Sequence, residues 1–364
     1  MKDTHGGATL YAIDFFCGAG GLTRGFLDAG VEVLLGIDAD SGCEETYTTN
    51  NRPAKFLCAD IAALHPSTIK HYLRGIPRHQ LVFVACAPCQ PFAILNKSGG
   101  SGGDALLLRE FARFVEYYRP GFVVLENVPG IARVRGASTL ARFKSLLRNL
   151  NYTLDEDVLD AKNYGVPQTR RRYILLARRK GKIKLPLPTH GPGQKPFRTV
   201  RQAISHLPRI KAGHSHKSIP NHRASLLSPN NLQRLRATPP NGGDRRSWPT
   251  ELVLKCHKNG HDGHTDVYGR MFWDRYAPTL TGKCNSLSNG RYGHPTQTRA
   301  ITLREAAALQ SFRDTYRFYG SEVSHIAQRI GNAVPVLFAR LLGKHLYQNS
   351  PRNAVAQTKK KAQR

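Results

Sequence analysis

A cysteine held between two prolines is the residue of this sequence best suited to covalent chemistry. Residues 81–85, LVFVA, are all apolar, which predicts a strand buried on both faces. The segment Pro88-Cys89-Gln90-Pro91 follows, and neither proline can donate a backbone hydrogen bond to a sheet. Cys89 therefore lies just beyond a strand end, where open α/β sheets bind ligands, and we interpret it as a nucleophile.

Other interpretations of Cys89 are open from these residues alone. Most single cysteines are small buried apolar side chains. Cys86 and Cys89 also form a C-x-x-C pair, which is typical of redox dithiols and of half of a zinc site. The seven cysteines are odd in number and irregularly spaced, which favours reduced thiols over a disulfide framework.

A glycine-rich turn near the N-terminus is a candidate ligand site. Residues 11–16 predict a strand and residues 22–29 a helix, with the turn CGAGG between them. Gly18 and Gly20 would let the backbone approach a ligand, and the helix N-terminus offers N–H groups. The dinucleotide pattern G-x-G-x-x-G is incomplete, because its third glycine position is Thr23.

Acidic residues follow the next two predicted strands. The strand over residues 31–37 ends at Asp38, where a carboxylate either accepts from ribose hydroxyls or caps the next helix. The strand over residues 55–58 is followed by Asp60, which is suited to an adenine amino group. Together with the glycine turn, these acids predict an adenosine-containing cofactor across the strand tips.

Polar side chains later in the chain are further candidates for chemistry. Glu126 ends another buried strand and could act as an acid beside the thiol, or pair with an arginine. Gln168, Arg170 and Arg172 precede and open a strand over residues 173–177, and period-two alternation places all three on one face. Guanidinium groups there suit carbonyl oxygens or phosphates, or form a solvated basic edge.

The composition predicts a polyanionic partner. The chain has 54 Lys+Arg against 25 Asp+Glu, a net charge of +29, and its pI is about 10.2. Such a chain attracts nucleic acid. The longest apolar runs are strand-sized, far short of the roughly 20 residues that cross a bilayer, and no signal-peptide pattern is present. We therefore expect a cytoplasmic protein with no membrane partner.

Residues 187–294 differ from the rest of the chain, because Pro, Gly, His and Arg replace the periodic apolar segments. We expect a smaller, loop-rich, mostly β domain there. Residues 295–348 return to helical periodicity and are expected to pack back on a first domain formed by residues 1–186. Thr302 and Glu305 predict a capping box. A basic tail at 349–364 is expected to be disordered.

A zinc site is a further alternative within the 187–294 region. Its candidate ligands are Cys256, His257, His261, His264 and Cys284. Their spacing fits no common zinc site well, so loop histidines facing solvent are favoured and no metal is expected.

These motifs, in this order, closely resemble the DNA (cytosine-5) methyltransferases of prokaryotic restriction-modification systems. The resemblance runs from about residue 11 to residue 340, with a variable gap between residues 180 and 293. Its blocks are 14–21 (DFFCGAGG), 88–92 (PCQPF), 126–128 (ENV), 168–172 (QTRRR), 304–312 (REAAALQSF) and 331–335 (GNAVP). One departure is Ala93, because the family usually carries Ser after the Phe of the second block.

The resemblance implies roles for the site residues. Cys89 would add to C6 of cytosine, so that C5 can attack a methyl group. Glu126 would bond N3 and the exocyclic amine, and Arg172, with Arg170, would hold O2. The implied substrate contacts are Gln90, Gln168 and Lys97, the last on a Ser/Gly-rich loop over residues 96–103 that could close over a flipped base. The implied S-adenosylmethionine contacts are Phe16, Gly18, Gly20, Asp38, Asp60 and Asn332.

The resemblance also implies the fold and the partners. The fold would be α/β, a doubly wound, mixed, Rossmann-like sheet of the S-adenosylmethionine-dependent methyltransferase type, with residues 187–294 as target-recognition domain. The candidates there for contacts with bases or phosphates are Arg245, Arg246, Arg270 and residues 289–291. Duplex DNA, a cognate restriction endonuclease, a monomeric state and a nucleoid-associated location are expected. The alternatives are a tRNA methyltransferase of the same fold, a C-x-x-C redox protein and a non-catalytic DNA-binding protein.

Overall fold

The computed structural model of the protein describes four stretches of the chain, which are residues 9–87, 103–133, 138–257 and 266–350. Several residues singled out by the sequence lie outside these stretches. They are Cys89, Gln90, Ala93, Lys97, His261 and His264, together with almost all of the loop predicted over 96–103.

The described residues belong to two compact units. Unit 1 takes its residues from Met1–Asp160, Arg171–Leu187 and Val336–Arg364, and unit 2 takes them from Ala161–Arg170 and Pro188–Pro335. The chain thus leaves unit 1 twice and returns to it twice.

The unit boundaries differ from the boundaries expected from the sequence. The chain returns to unit 1 at residue 336 rather than at 295, so the segment 295–335 belongs to unit 2. Residues 349 and 350, which were expected to belong to a disordered tail, are hydrogen-bonded to α9: Asn349 Nδ2 donates to the His345 carbonyl at 2.8 Å and the Ser350 N–H donates to the Tyr347 carbonyl at 3.2 Å. Residues 351–364 lie outside the described residues.

Unit 1 contains a seven-stranded sheet with the strand order β3-β2-β1-β4-β5-β7-β6. The strands are β1 (Tyr11–Phe15), β2 (Glu32–Asp38), β3 (Lys55–Cys58), β4 (Leu81–Ala85), β5 (Phe122–Asn127), β6 (Thr153–Asp160) and β7 (Arg171–Arg178). Strands β1 to β5 pair in parallel, whereas β7 is antiparallel to both β5 and β6. The doubly wound mixed sheet predicted from the sequence is confirmed.

Helices cover the sheet of unit 1, which is why β4 and β5 are buried along their whole length. The helices are α1 (Gly21–Asp28), α2 (Glu44–Asn50), α3 (Gly103–Tyr118), α4 (Thr139–Asn149) and α9 (Val336–Gln348). Helix α1 packs against α9, and α3 packs against α4.

An aromatic cluster fixes the carboxyl end of β1. The ring of Phe15 lies 5.2 Å from Phe83 and 5.1 Å from both Phe111 and Phe114, with edge-on geometry in each pair. Such pairs add about 0.5–1.5 kcal/mol each beyond their buried area. The chain is therefore held firmly at the last residue of β1, just before Phe16 and the glycine turn.

Unit 2 is built from short helices and loops. Its α-helices are α5 (Val200–Ile204), α6 (Pro229–Ala237), α7 (Leu303–Leu309) and α8 (Val323–Asn332). The capping box predicted at the start of α7 is confirmed. Thr302 Oγ1 accepts from the Glu305 N–H at 3.0 Å, and Glu305 Oε2 accepts from the Thr302 N–H at 2.7 Å.

The expectation that residues 187–294 are mostly β was wrong. The described residues of this region form isolated bridges, such as that between Arg270 and Gly293, but no strand. Buried loop carbonyls still need donors, and buried arginine side chains supply them. Arg270 donates, at 2.6–3.0 Å, to the carbonyl oxygens of Leu235, Thr238, His294 and Gln297.

Candidate functional site

The carboxyl ends of β1 and β2 bring together four of the six predicted cofactor residues. The Gly18 N–H donates to Asp38 Oδ2 at 2.7 Å, and the Asp40 N–H donates to Asp38 Oδ1 at 2.9 Å. The helix-capping role that was open for Asp38 is filled by Asp40, which accepts from the Gly42 N–H. Asp38 therefore fixes the glycine turn to the tip of β2, close to Phe16.

The turn after β1 has a backbone conformation that most residues avoid. Gly18 and Gly20 have φ angles of 49° and 80°, which glycine adopts readily. Phe16 also has a positive φ, 60°, which costs a non-glycine residue about 1–2 kcal/mol. The half-buried Phe16 ring packs against the core of unit 1, and the Cys17 N–H bonds the Ile37 carbonyl at 3.1 Å. A disfavoured backbone held this firmly indicates a functional constraint.

Asp60 stands at the tip of the third parallel strand. It is exposed, two residues past β3, and its Oδ1 accepts from the Ala62 N–H at 2.9 Å. Because β3, β2 and β1 are neighbours in the sheet, the glycine turn, Asp38 and Asp60 follow one edge in order. This is the edge at which open α/β sheets bind ligands.

Asp14 is a buried carboxylate just before the glycine turn for which no role was expected from the sequence. Its Oδ2 accepts from Thr23 Oγ1 at 2.6 Å, and Thr23 Oγ1 lies 2.9 Å from the Tyr47 hydroxyl. Its Oδ1 has no hydrogen-bond partner among the described residues. Burial raises the pKa of Asp14 to about 7, against the lowering effect of the Thr23 bond. A carboxylate inside the apolar strand YAIDFF was the signal that could have identified it.

The ends of β5 and β7 bring together two of the predicted catalytic residues. Glu126 is only 7% exposed, and its Oε1 lies 3.0 Å from Arg172 Nε. Such a charge-assisted contact holds both side chains in one orientation. The ion pair that was the alternative interpretation of Glu126 is therefore present, and its partner is the arginine implicated in binding the substrate.

Asn127 connects this pair to the segment that carries the cysteine. Ala85, the last residue of β4, pairs with Leu125, so the chain that leaves β4 does so beside Glu126. The buried Asn127 Nδ2 donates to the Ala87 carbonyl at 3.2 Å. Residue 87 is the last described residue before the Pro-Cys-Gln-Pro segment. The motif block 126–128 contained Asn127, but nothing in its spacing indicated this backbone contact.

Arg170 and Asn332 lie in unit 2, where a hydrogen bond joins them. The buried Arg170 guanidinium donates to the Leu280 carbonyl at 3.0 Å and to the Asn332 carbonyl at 3.2 Å. Strand β7 begins at Arg171, so the period-two alternation does not extend back to Arg170. The expectation that Gln168, Arg170 and Arg172 share a strand face was wrong for this reason.

Gln168 is also buried within unit 2. Its Nε2 donates to Gln310 Oε1 at 3.0 Å, and its Oε1 accepts from the Leu280 N–H at 2.9 Å. Gln310 in turn donates to the carbonyl of Ile330 at 2.9 Å. Motif residues that the sequence placed far apart thus form one hydrogen-bonded network.

The described part of the chain offers neither a metal site nor a membrane span. The described residues include no group of three or more His, Cys, Asp or Glu side chains placed to bind a metal ion. Cys284, one of the considered zinc ligands, is fully buried, and its thiol contacts the Ala327 carbonyl at 3.7 Å. None of the helices within the described ranges has the length and apolar character needed to cross a membrane.

The chain is similar to known proteins along most of its length. A family model described as C-5 cytosine-specific DNA methylase matches residues 10–348. The Type II methylase M.HgiDII of Herpetosiphon aurantiacus is 39% identical over 338 residues, covering 92% of this chain and 94% of the relative. The Type II methyltransferase M1.HphI of Haemophilus parahaemolyticus is 33% identical over 341 residues, covering 92% and 86%.

Solved structures share the fold at lower identity. A prophage-encoded chain from E. coli, described as a DNA modification methyltransferase, has a TM-score of 0.73 and 23% identity, with 93% of this chain and 99% of that chain covered. The DNMT2 of Spodoptera frugiperda has a TM-score of 0.63 and 16% identity, with 93% and 100% covered. At these identities the likeness extends to the fold alone.

Proposed function

We propose that this chain, which belongs to the C-5 cytosine-specific DNA methylase family, transfers a methyl group from S-adenosylmethionine to C5 of a cytosine in a specific duplex DNA sequence. The observation that carries the proposal is the Glu126–Arg172 pair, next to the strand that leads to Cys89. Its Type II relatives support a further role, protection of host DNA from a cognate restriction endonuclease.

Cys89 is the proposed nucleophile. Carbon 5 of cytosine is a poor nucleophile in the aromatic ring. When the thiolate forms a bond to C6, the electrons of the C5–C6 double bond become available at C5. C5 then attacks the methyl group as its bond to the donor sulfur breaks. A proton leaves C5 to a base or water, and the thiolate is eliminated as the double bond re-forms. The contact between Asn127 and the Ala87 carbonyl supports a fixed starting point for the segment that presents this thiol.

Glu126 and Arg172 are proposed to hold the target base. A carboxyl group at the Glu126 position bonds N3 and the exocyclic amine, which stabilises the ring as the thiolate adds. The Arg172 guanidinium bonds O2, where negative charge develops. Their ion pair supports this assignment, because it orients both side chains before a base arrives.

The strand tips of unit 1 fit S-adenosylmethionine, which supplies an electrophilic methyl group when bound. We propose that the backbone at Gly18 and Gly20 allows close approach, while the half-buried Phe16 ring packs against the adenine. A carboxylate has about four lone-pair sites, so Asp38 can accept from ribose hydroxyls in addition to its backbone donors. Asp60 accepts from the adenine amino group.

The remaining predicted contacts stay predictions. Asn332, Gln168 and Arg170 belong to unit 2, where Gln168 and Arg170 hold its backbone. Gln90 and Lys97 are proposed to contact the DNA from the segment outside the described residues. Because the target atoms are buried in a base stack, the cytosine must rotate out of the duplex, at a cost of a few kcal/mol. We infer that a monomer does this in the cytoplasm, where the chromosome lies.

Methylation of DNA in cells tests the proposal. The chain is expressed in cells that lack cytosine methylation, and their DNA is analysed by bisulfite sequencing. We expect cytosines within one short sequence to be protected from conversion, and no protected cytosines with Cys89→Ser. Transfer of a labelled methyl group to purified duplex DNA and to tRNA provides the second measurement. Label that enters tRNA and not DNA would contradict the proposal.

A further inference from the structure

An open cleft of about 520 Å³ lies within unit 2. Its walls come from the loop around Gly213–Leu226, the turn around Gly282–Asn289 and the first residues of α8. Among the described residues that line the cleft, Asn289 alone was a candidate from the sequence. The proposed chemistry in unit 1 gives this cleft no role.

Hydrogen bonds hold the walls of the cleft in place. Ser225 Oγ donates to the Asn285 carbonyl at 3.2 Å, and Asn285 Nδ2 donates back to Ser225 Oγ at 3.1 Å. The Gly213 N–H donates to the Ser225 carbonyl at 3.1 Å. The buried Cys284 thiol fastens the turn to the Ala327 carbonyl of α8. The cleft is therefore formed before any ligand arrives, which lowers the cost of binding.

Two cations of the cleft wall have no anionic partner within the described ranges. Arg223 and Lys283 are both exposed, and neither side chain has a hydrogen bond or ion pair with any residue in the described ranges. The described lining contains no Asp or Glu. Other arginines of unit 2 are compensated, as in the ion pairs Arg201–Asp274 at 2.7 Å and Arg246–Asp244 at 2.6 Å. The unpaired charges and the polar lining favour an anionic ligand.

An apolar side chain stands beside these cations. Leu226 is 82% exposed and lines the same cleft. A single exposed leucine is ordinary on a protein surface. Beside two unpaired cations, however, it suits a ligand that joins an anionic group to an apolar one. A nucleotide unit of DNA has this character, because each phosphate is linked to a deoxyribose and a base.

We infer that this cleft binds one nucleotide unit of the DNA, with Arg223 and Lys283 on the phosphate oxygens and Leu226 against the adjoining sugar or base edge. The inference rests on the proposed function, because it takes duplex DNA as the ligand. It adds Arg223, Lys283 and Leu226 to the DNA contacts expected of unit 2. Each phosphate that a cation neutralises contributes about −0.9 to the slope of log affinity against log salt.

The test measures affinity of the full chain for a duplex oligonucleotide between about 50 and 200 mM KCl. The double variant Arg223→Ala/Lys283→Ala should make the salt slope less negative by about 1 to 2. Leu226→Ser should weaken binding several-fold at every salt concentration with the slope unchanged. The matched control is Lys70→Ala/Arg74→Ala, which removes two exposed cations from unit 1 and should leave the slope unaltered.

Each outcome decides the inference. A wild-type slope in the Arg223/Lys283 double variant overturns it, and so does an equal loss of slope in the control. Inorganic phosphate should displace DNA no better than KCl of the same ionic strength, and selective displacement would assign the cleft to a free anion instead. Methyl transfer by the wild-type chain is measured in parallel. If it is absent, the proposed function fails; if it is present and the double variant is unchanged, the cleft inference fails alone.

Discussion

The two units satisfy their buried backbone groups in different ways. In unit 1 the donors and acceptors belong to neighbouring strands, which pair in a seven-stranded ladder. In unit 2 loop carbonyls accept from arginine side chains that are themselves buried. A ladder needs many residues to hold a loop at its edge, whereas one guanidinium has five donors in a fixed geometry. A unit made of loops can therefore be rigid without a sheet.

In the described part of unit 2, the buried arginines that donate to loop carbonyls are Arg170, Arg270, Arg299 and Arg304. Arg304 shows what burial of a guanidinium gains in hydrogen bonds and costs in desolvation. It donates to the carbonyls of Pro220 at 2.9 Å and Arg313 at 3.0 Å and to that of Tyr316, and desolvation lowers its pKa to about 10. The net charge of +29 thus overstates the charge that the surface presents to DNA.

This difference between the two units explains why the sequence predicted the structure of unit 1 better than that of unit 2. In unit 1, apolar runs and glycine turns are local signals, so the strands, Asp38, Asp60 and Glu126 could all be placed at strand ends. The contacts of unit 2 join residues far apart in the chain, such as Arg170 with Leu280 and Asn332. No periodicity encodes them, and for this reason the region was wrongly expected to be mostly β.

The resemblance to a family identified important residues but did not show which of them have structural roles. Glu305 belongs to the block 304–312, yet its buried carboxylate pairs with Arg299 through two contacts of 2.7 Å. Asn127 and Asp14 also stood inside quoted blocks, but only the structure gives their partners. The motifs therefore contain both catalytic candidates and residues that hold the fold. The burial and the hydrogen-bond partners of each residue distinguish the two groups.

The largest effect on activity is expected in unit 1. Glu126→Gln should lower the rate of methyl transfer about 10²–10⁴-fold, because the base loses its carboxyl partner. The free energy of unfolding should change much less than the activation free energy of methyl transfer. The measurement is single-turnover transfer to duplex DNA, with urea unfolding alongside. Glu156→Gln is the matched control, since this carboxylate on β6 accepts from Lys144 of α4 and from the Tyr173 hydroxyl of β7. Comparable losses in the two variants would contradict the role of Glu126.

The largest effect on stability is expected in unit 2. Arg299→Met should destabilise this unit by about 3–5 kcal/mol, because it leaves the Glu305 carboxylate charged, buried and unpaired. Both tryptophans, Trp248 and Trp273, lie in unit 2, so their fluorescence in urea reports its unfolding. The double variant Arg299→Met/Glu305→Met should recover most of the loss. A double variant no more stable than the single one would argue against the buried pair.

A smaller, pH-dependent effect is expected at His294. Its Nδ1 accepts from the N–H groups of Thr296 at 3.2 Å and Gln297 at 3.0 Å, and burial lowers its pKa to about 3. The unfolded chain, with a pKa near 6.5, binds a proton that the folded chain does not. Stability from this group is therefore complete above about pH 6.5 and declines as the pH falls toward 3, by about 1.4 kcal/mol per pH unit.

Unfolding in urea at several pH values, followed by tryptophan fluorescence, checks this expectation. His294→Gln removes the titrating group, so the pH slope of stability below pH 6.5 should be shallower by about one proton. His222, whose pKa burial also lowers, contributes to the slope in both proteins and cancels in the comparison. An unchanged slope in the variant would show that His294 is protonated in the folded chain.

Covalent capture on DNA containing 5-fluorocytosine tests the central claim most directly. After Cys89 bonds to C6 and C5 takes the methyl group, C5 carries fluorine instead of the proton that must leave, so the adduct persists. With S-adenosylmethionine present, we expect the wild-type chain and Cys86→Ser to form a denaturant-stable complex with the duplex, and Cys89→Ser to form none. A complex that survives in Cys89→Ser, or that is lost in Cys86→Ser as well, would contradict the account.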